Sequence, residues 1–163
     1  MKKIGVISDT HIPVYAKELP RRVIELFEGA DLILHAGDSV EEIALDELNA
    51  IAPTHAVCGN MDRLRNHSLL PDKRIITVES CRIGLIHGWG APQGLEDRIF
   101  SAFQSERLDA IVYGHSHNAH QEIRDGVLLF NPGTPTDSRF ASYRSVGILT
   151  VDGEIIKGEI IRI

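Results

Sequence analysis

The chain has 163 residues, 43% apolar and 25% charged, with a formal net charge of −6 and a pI near 5.7. That composition is ordinary for a globular protein with one core, and a single domain over residues 1–163 is expected. The acidic balance counts against an extended nucleic-acid surface, which presents a basic face, although bound divalent cations would reverse the local field and admit a nucleotide or a short oligonucleotide. No apolar run approaches the roughly 20 residues of a membrane span. The run behind Met1-Lys2-Lys3 is too short for a signal peptide, so a cytoplasmic protein is expected. Cys58 and Cys81 are far apart, in no CxxC pattern, and read as buried free thiols.

Residues 3–8 are β-branched and nearly all apolar, which predicts a strand covered on both faces. After a loop around Pro13, residues 18–29 carry Leu19, Val23, Ile24, Leu26 and Phe27 at helical spacing, with Gly29 as the stop. A strand over 32–34, a helix over 40–49 and a strand over 54–58 follow. The first 60 residues are therefore β-α-β-α-β, an order that implies parallel strands with helices packed on the sheet. Residues 63–73 are polar and read as a loop. Two strands over 74–79 and 82–86 flank a turn at Ser80-Cys81. An amphipathic helix over 95–105 leads to a strand over 110–113. The segments 121–124, 127–130, 145–151 and 154–161 read as antiparallel strands, with Asp125-Gly126 and Asp152-Gly153 as type I′ hairpin signals. Two facing sheets with helices outside would bury all of these elements together.

Strand after strand stops at a polar residue. Ile4-Gly5-Val6-Ile7 runs into Asp9 and His11; later strands end at Asp38, Asn60, His87, and His115 with His117. An ionised carboxylate at the end of a buried strand is costly unless something positive meets it, and in parallel α/β sheets ligands collect outside the carboxyl ends of the strands. The set holds four imidazoles, two carboxylates and an amide oxygen. Such mixed N/O donors suit Mn²⁺, Fe, Zn²⁺, Ni²⁺ or Co²⁺ better than Ca²⁺ or Mg²⁺. Seven ligands are too many for one catalytic ion and divide well between two if a carboxylate is shared. No G-x-S-x-G or Cys-His pattern supplies a covalent nucleophile.

Each fragment alone is weak, but the ordered set Asp9-Thr10-His11, Gly37-Asp38, Gly59-Asn60-Met61-Asp62, His87-Gly88 and Gly114-His115-Ser116-His117 resembles the calcineurin-like metallophosphoesterase family. The likeness runs from residue 4 to about 135, and Asn131-Pro132-Gly133-Thr134 is similar to the compact bacterial and archaeal phosphodiesterase branch. The resemblance implies a four-layer α/β/β/α sandwich. It implies that Asp9, His11 and His117 bind a first metal, that Asn60, His87 and His115 bind a second, and that Asp38 bridges. Asp38, Asn60 and His87 would thus be catalytic as well. Two cations about 3.5–4 Å apart can hold the phosphate oxygens of an in-line displacement. A water between them becomes hydroxide near neutral pH, because a metal can lower its pKa from 15.7 to roughly 7. Mn is the expected pair, with Ni, Zn, Fe or Co as alternatives.

One position departs from the family pattern. Where many members have a His after the Asn of the third block, acting as general acid on the leaving alcohol, this chain has Met61. General-acid help is typically worth 10²–10⁴-fold, so a diester, whose leaving group needs little protonation, is the expected substrate. Asp62 is expected to orient His115 or a metal-bound water, as carboxylates behind a metal site do. Arg63 and Arg139 could neutralise a phosphate. Trp89 either walls the pocket or packs beside it. His35 reads as structural, and His55, His67 and His120 as surface or rim residues.

The expected function is a dinuclear metal-dependent phosphodiesterase acting on a small phosphoester, a nucleotide among the candidates, with homo-oligomerisation left open. The competing reading is a non-catalytic interaction scaffold on the same fold, as in the small retromer subunit. The filled ligand positions favour the enzyme. Hydrolysis of another bond, such as an amide, on a similar metal pair is a third reading, opposed only by the family resemblance.

Overall fold

A computed structural model of the chain describes residues 1–62 and 70–163. The apolar run at the N-terminus forms β1 (Lys2–Ile7), and the remaining elements follow as α1 (Arg21–Phe27), β2 (Leu32–His35), α2 (Glu42–Asn49), β3 (Thr54–Ala56), β4 (Lys73–Val78), β5 (Cys81–Ile86), α3 (Leu95–Ser101), β6 (Ala110–Val112), β7 (His120–Arg124), β8 (Val127–Asn131), β9 (Ser145–Asp152) and β10 (Ile155–Arg162). The strands make two five-stranded mixed sheets, in the orders β10-β9-β1-β2-β3 and β4-β5-β6-β8-β7.

Because side chains alternate along a strand, each sheet has two apolar faces. Ile4, Val6, Leu34 and Leu149 of the first sheet meet Ile83, Leu85, Val112 and Phe130 of the second in a fully buried layer. On the outer face of the first sheet, Ile7, Ile33 and Val146 pack against Val23 and Phe27 of α1 and Ala44 and Leu48 of α2. On the outer face of the second, Ile86, Ile111 and Leu129 pack against Leu95 and Ile99 of α3. The result is the expected α/β/β/α order. Phe130 reaches across the central layer onto Gly147 and Gly158, where a Cβ would collide with its ring; glycine at those positions lets the sheets approach.

The predicted elements are present, with ends displaced by a residue or a few, and three details differ. The turn between β4 and β5 is Glu79-Ser80, one residue earlier than expected, with Val78 paired to Cys81 and Glu79 at φ 51°. The Asp125-Gly126 turn has both φ values positive, 49° and 81°, as type I′ requires. The last hairpin instead pairs Asp152 with Ile155, so its loop is Gly153-Glu154 with only Gly153 at positive φ, the II′ pattern. The antiparallel reading of the C-terminal strands holds for β7 with β8 and for β9 with β10, but β8 also lies parallel to β6. Cys58 and Cys81 are buried and in no disulfide, as expected.

Candidate metal centre

The carboxyl ends of β1, β2, β3, β5 and β6 lead into loops that meet at one rim of the sandwich. The loops are tied to each other through backbone: Asp9 N–H donates to Gly37 O at 3.0 Å, His11 N–H to Asp38 O at 3.0 Å, and Gly114 N–H to His87 O at 3.0 Å. Among the described residues, eight that are not glycine adopt φ in the left-handed region, and five of these are Asp9, His11, Asp38, His115 and His117, at 44° to 73°. That conformation costs roughly 1 kcal/mol or more for an L residue and persists where the surroundings over-determine it. Its concentration here accompanies the convergence of the Asp9, His11, Asp38 and His117 side chains.

Asp9 is fully buried. Its Oδ2 accepts Ser8 Oγ–H at 2.6 Å and His115 N–H at 3.1 Å. Its Oδ1 has no hydrogen-bond partner. Instead it faces the Nε2 atoms of His117, His11 and His87 at 3.4, 3.8 and 3.9 Å. Asp38 divides its oxygens similarly. Oδ1 accepts Met61 N–H at 2.8 Å, and Oδ2 lies 3.5 Å from His11 Nε2 and 3.3 Å from His87 Nε2. Asn60 Oδ1 completes that side, 3.1 Å from His87 Nε2. An unpartnered buried carboxylate oxygen costs several kcal/mol in an apolar interior. One that faces three imidazole nitrogens offers a candidate donor set for a cation. Asp9, His11 and His117 bring ligand atoms within 4.8 Å of one another, and so do Asp9, Asp38 and His87. Asp9 thus belongs to both clusters, and Asp38 stands between His11 and His87.

The imidazole orientations fit this arrangement. His87 donates Nδ1–H to Ala36 O at 2.7 Å, and His117 donates Nδ1–H to Asp137 Oδ2 at 2.6 Å, so each keeps its Nε2 for the centre. His115 sends Nε2–H to Gly90 O at 2.8 Å, which leaves Nδ1 as its remaining donor; its ring stands 5.3 Å from that of His87. Burial alone would lower the His87 imidazole, but the Asp9 and Asp38 carboxylates outweigh it and raise the pKa to about 9. At His117 burial is likewise outweighed by Asp9 and Asp137, again to about 9. In return, although burial opposes it, His87, His11 and His117 hold the Asp9 carboxyl far below the usual carboxylate range. Paired shifts of opposite sign at one rim are the signature of a built site.

Asp62 lies between the Asp38 and Asn60 loops. It is fully buried and bonded to backbone rather than to His115: Oδ2 accepts Asp38 N–H and Gly59 N–H, each at 2.8 Å, while Oδ1 accepts Val40 N–H at 2.6 Å and Ser39 Oγ–H at 3.1 Å. Two loops whose N–H groups point at one spot need an acceptor there, and Asp62 fixes the Asp38 loop against the Asn60 loop. Arg139 lies at the rim, mostly exposed, its guanidinium 4.4 Å from the Tyr15 ring, which in turn stands 4.6 Å from the His11 ring. Arg63 and His67 lie outside the described residues. His35 is structural as expected: it is buried, accepts Gly37 N–H on Nδ1 at 3.1 Å and pairs Nε2 with Thr10 Oγ1 at 3.0 Å. Burial pushes its pKa down to about 4, so it stays neutral. His55 and His120 pair with Arg74 and Glu122, away from the centre.

The sequence reading gave no role to Thr134, Thr136 and Asp137 in the segment that follows β8. Thr134 Oγ1–H donates to Asp9 O at 2.8 Å and Thr136 Oγ1–H to Thr10 O at 2.8 Å, so this segment grips the β1 end. Asp137, buried, carries His117 on one oxygen and Arg139 N–H, at 2.8 Å, on the other. An Asp six residues past a strand end looks like any loop Asp; only a partner for His117 would have singled it out. Tyr15 was missed in the same way.

With this geometry established, the chain can be compared with known proteins. Residues 1–154 match the family model described as the calcineurin-like phosphoesterase superfamily domain. A probable metallophosphoesterase of Methanothermobacter thermautotrophicus is 44% identical over 160 residues, covering 98% of this chain and 91% of that protein. The phosphodiesterase MJ0936 of Methanocaldococcus jannaschii is 29% identical over 147 residues, 80% of this chain and 82% of that one. Among solved structures, Vps29 of Chaetomium thermophilum superposes with a TM-score of 0.82 over 98% of this chain and 95% of its own, at 21% identity, a likeness of fold alone. By the match along nearly its whole length, and by a rim that gathers the family's carboxylates and imidazoles, this chain belongs to the calcineurin-like phosphoesterase superfamily.

Proposed function

We propose that this chain is a two-metal phosphodiesterase. The observation that supports the reading best is the buried, unpartnered Asp9 Oδ1 facing three imidazole nitrogens. In this reading Asp9, His11 and His117 hold one cation, Asn60, His87 and His115 the other, and Asp38 is shared. Bound there, the cations would act as Lewis acids on the phosphoryl oxygens and lower the pKa of the attacking water. The chain's own residues do the rest. Ala36 O and Asp137 fix the rings of His87 and His117 with Nε2 toward the centre, and Gly90 O holds Nε2 of His115, so that His115 would bind through Nδ1. Asp62 holds the Asp38 and Asn60 loops in register. Arg139, whose guanidinium stacks over Tyr15, would meet a phosphate oxygen, and we assign the same task to Arg63.

Met61 cannot donate a proton. The leaving group must therefore depart with little protonation, which favours diesters and activated esters over alkyl monoesters. The expected substrate is a small phosphoester met in the cytoplasm, a nucleotide among the candidates, and the expected metal is Mn²⁺. The test is to determine metal content by elemental analysis and to assay bis-p-nitrophenyl phosphate beside p-nitrophenyl phosphate with and without Mn²⁺. Metal-dependent turnover with the diester preferred is expected; clear preference for the monoester would overturn the reading. A flat phosphoester panel at full metal occupancy would instead favour an interaction scaffold, a use of this fold that the Vps29 likeness keeps in view.

A further inference from the structure

Beside Asn60 and His87 opens a cleft of about 480 Å³, walled by Cys58, Ile86 and Trp89 and bordered by Asp72. Trp89 is the chain's only tryptophan and 49% of it is exposed. An indole left half in water on a well-built loop calls for a partner, because aromatic rings carry the largest gain on burial. The loop is well built. Arg98 donates from Nε to Trp89 O at 2.9 Å, from Nη1 to Gln93 O at 3.0 Å, and from Nη2 to Ala91 O. Gly88 and Gly90 flank the indole at φ of 108° and 82°, a path L residues rarely follow. One guanidinium thus ties three carbonyls of the loop and fixes the backbone that carries Trp89. Among the described residues, the cleft is lined by no Lys or Arg, and its apolar wall of Cys58, Ile86 and Trp89 suits an uncharged ring.

We infer that Trp89 is a stacking platform for a neutral aromatic ring carried by the phosphoester whose phosphate lies at Asn60 and His87. The inference rests on the two-metal reading and narrows its substrate class to esters of aromatic or nucleobase-bearing groups. Specificity then comes from the ring lying flat on the indole, while the phosphate is held at the adjoining rim.

Phenylphosphonate and cyclohexylphosphonate test this, since they are non-hydrolysable, equal in charge and close in size. Each is titrated into Zn²⁺-loaded protein, with Trp89 fluorescence read directly and inhibition of bis-p-nitrophenyl phosphate hydrolysis read in parallel. The aromatic ligand should bind about 2- to 10-fold tighter, the range of aromatic pair energies, and should change the indole emission, while the saturated one does not. Trp89→Leu should abolish the difference at unchanged metal content, and Trp89→Phe should restore part of it. If Trp89→Leu fails to fold, the wild-type affinity ratio and fluorescence decide alone. Equal affinities, or a preference with no change in emission, overturn the stacking site and leave the metal centre standing. Failure of the protein to take up metal, or of both phosphonates to bind the loaded protein, overturns both.

Discussion

Replacing Asp137 by Asn changes one atom and should weaken one metal site. Asp137 Oδ1 accepts Arg139 N–H at 2.8 Å, so the amide oxygen of Asn must stay on that side. The amide NH₂ then faces His117 Nδ1, where Asp137 Oδ2 accepts a proton at 2.6 Å. Two donors cannot share that contact. His117 has to move its proton to Nε2, the nitrogen that stands 3.4 Å from Asp9 Oδ1, and an Nε2–H is no ligand. Partners of this kind behind a metal-binding His are worth about 10–100-fold in affinity, or roughly 1.4–2.7 kcal/mol. The assay is Mn²⁺ titration of stripped protein, following the free ion by EPR. Wild type should bind two ions per chain; Asp137→Asn should keep one and lose the other by that factor. Asp137→Ala leaves the Nδ1–H tautomer available, so it should bind the second ion better than Asn does, although it folds less stably. Wild-type affinity for both ions in Asp137→Asn, or Ala weaker than Asn, would refute the tautomer argument.

Three further outcomes are expected. Asp62→Ala strands three buried backbone N–H groups, each worth about 1–3 kcal/mol. It should cost roughly 3–9 kcal/mol in urea unfolding, and Asp62→Asn less, since its NH₂ meets donors on one side only; a loss below about 1 kcal/mol for Asp62→Ala would contradict the contacts. His87 and His117, raised to about 9 by the neighbouring carboxylates, are protonated at pH 7.5 in metal-free protein. They stabilise that form fully below the ordinary His pKa of about 6.5, an effect lost as pH rises through 9, whereas metal affinity rises over the same window. Loading should release protons, seen as a calorimetric enthalpy that changes with buffer ionisation enthalpy, and buffer-independent heats would count against it. Met61→His supplies the absent general acid; the monoester rate should rise toward the lower end of the 10²–10⁴ range, and an unchanged monoester-to-diester ratio would show that leaving-group protonation is not limiting.

Local pattern carried much of this protein. The short apolar runs of β1, β2 and β5, and the turn residues that follow them, are properties of neighbouring residues, so the strands and helices and the polar residue at each strand end could be read along the chain. The chemistry of Asp9, Asp38, His87 and the His115/His117 pair could be read too, because carboxylates and imidazoles at the ends of buried strands have few other uses. Local pattern could not say which strands lie side by side. Nothing in the sequence of β9 states that it flanks β1, or that β8 runs parallel to β6, since pairing is decided by how whole faces bury against each other.

The same limit governs the metal centre. Asp9 receives the amide of His115, 106 residues away, and Asp38 and its loop are held by an Asp62 that reads as a helper of His115. Asp137 and Tyr15 become meaningful only beside His117 and His11. Residue type and spacing determined which atoms could bind a cation. The packing of two sheets decided which of them meet, and which buried hydrogen bonds hold them there, because those contacts join segments that the chain itself keeps far apart.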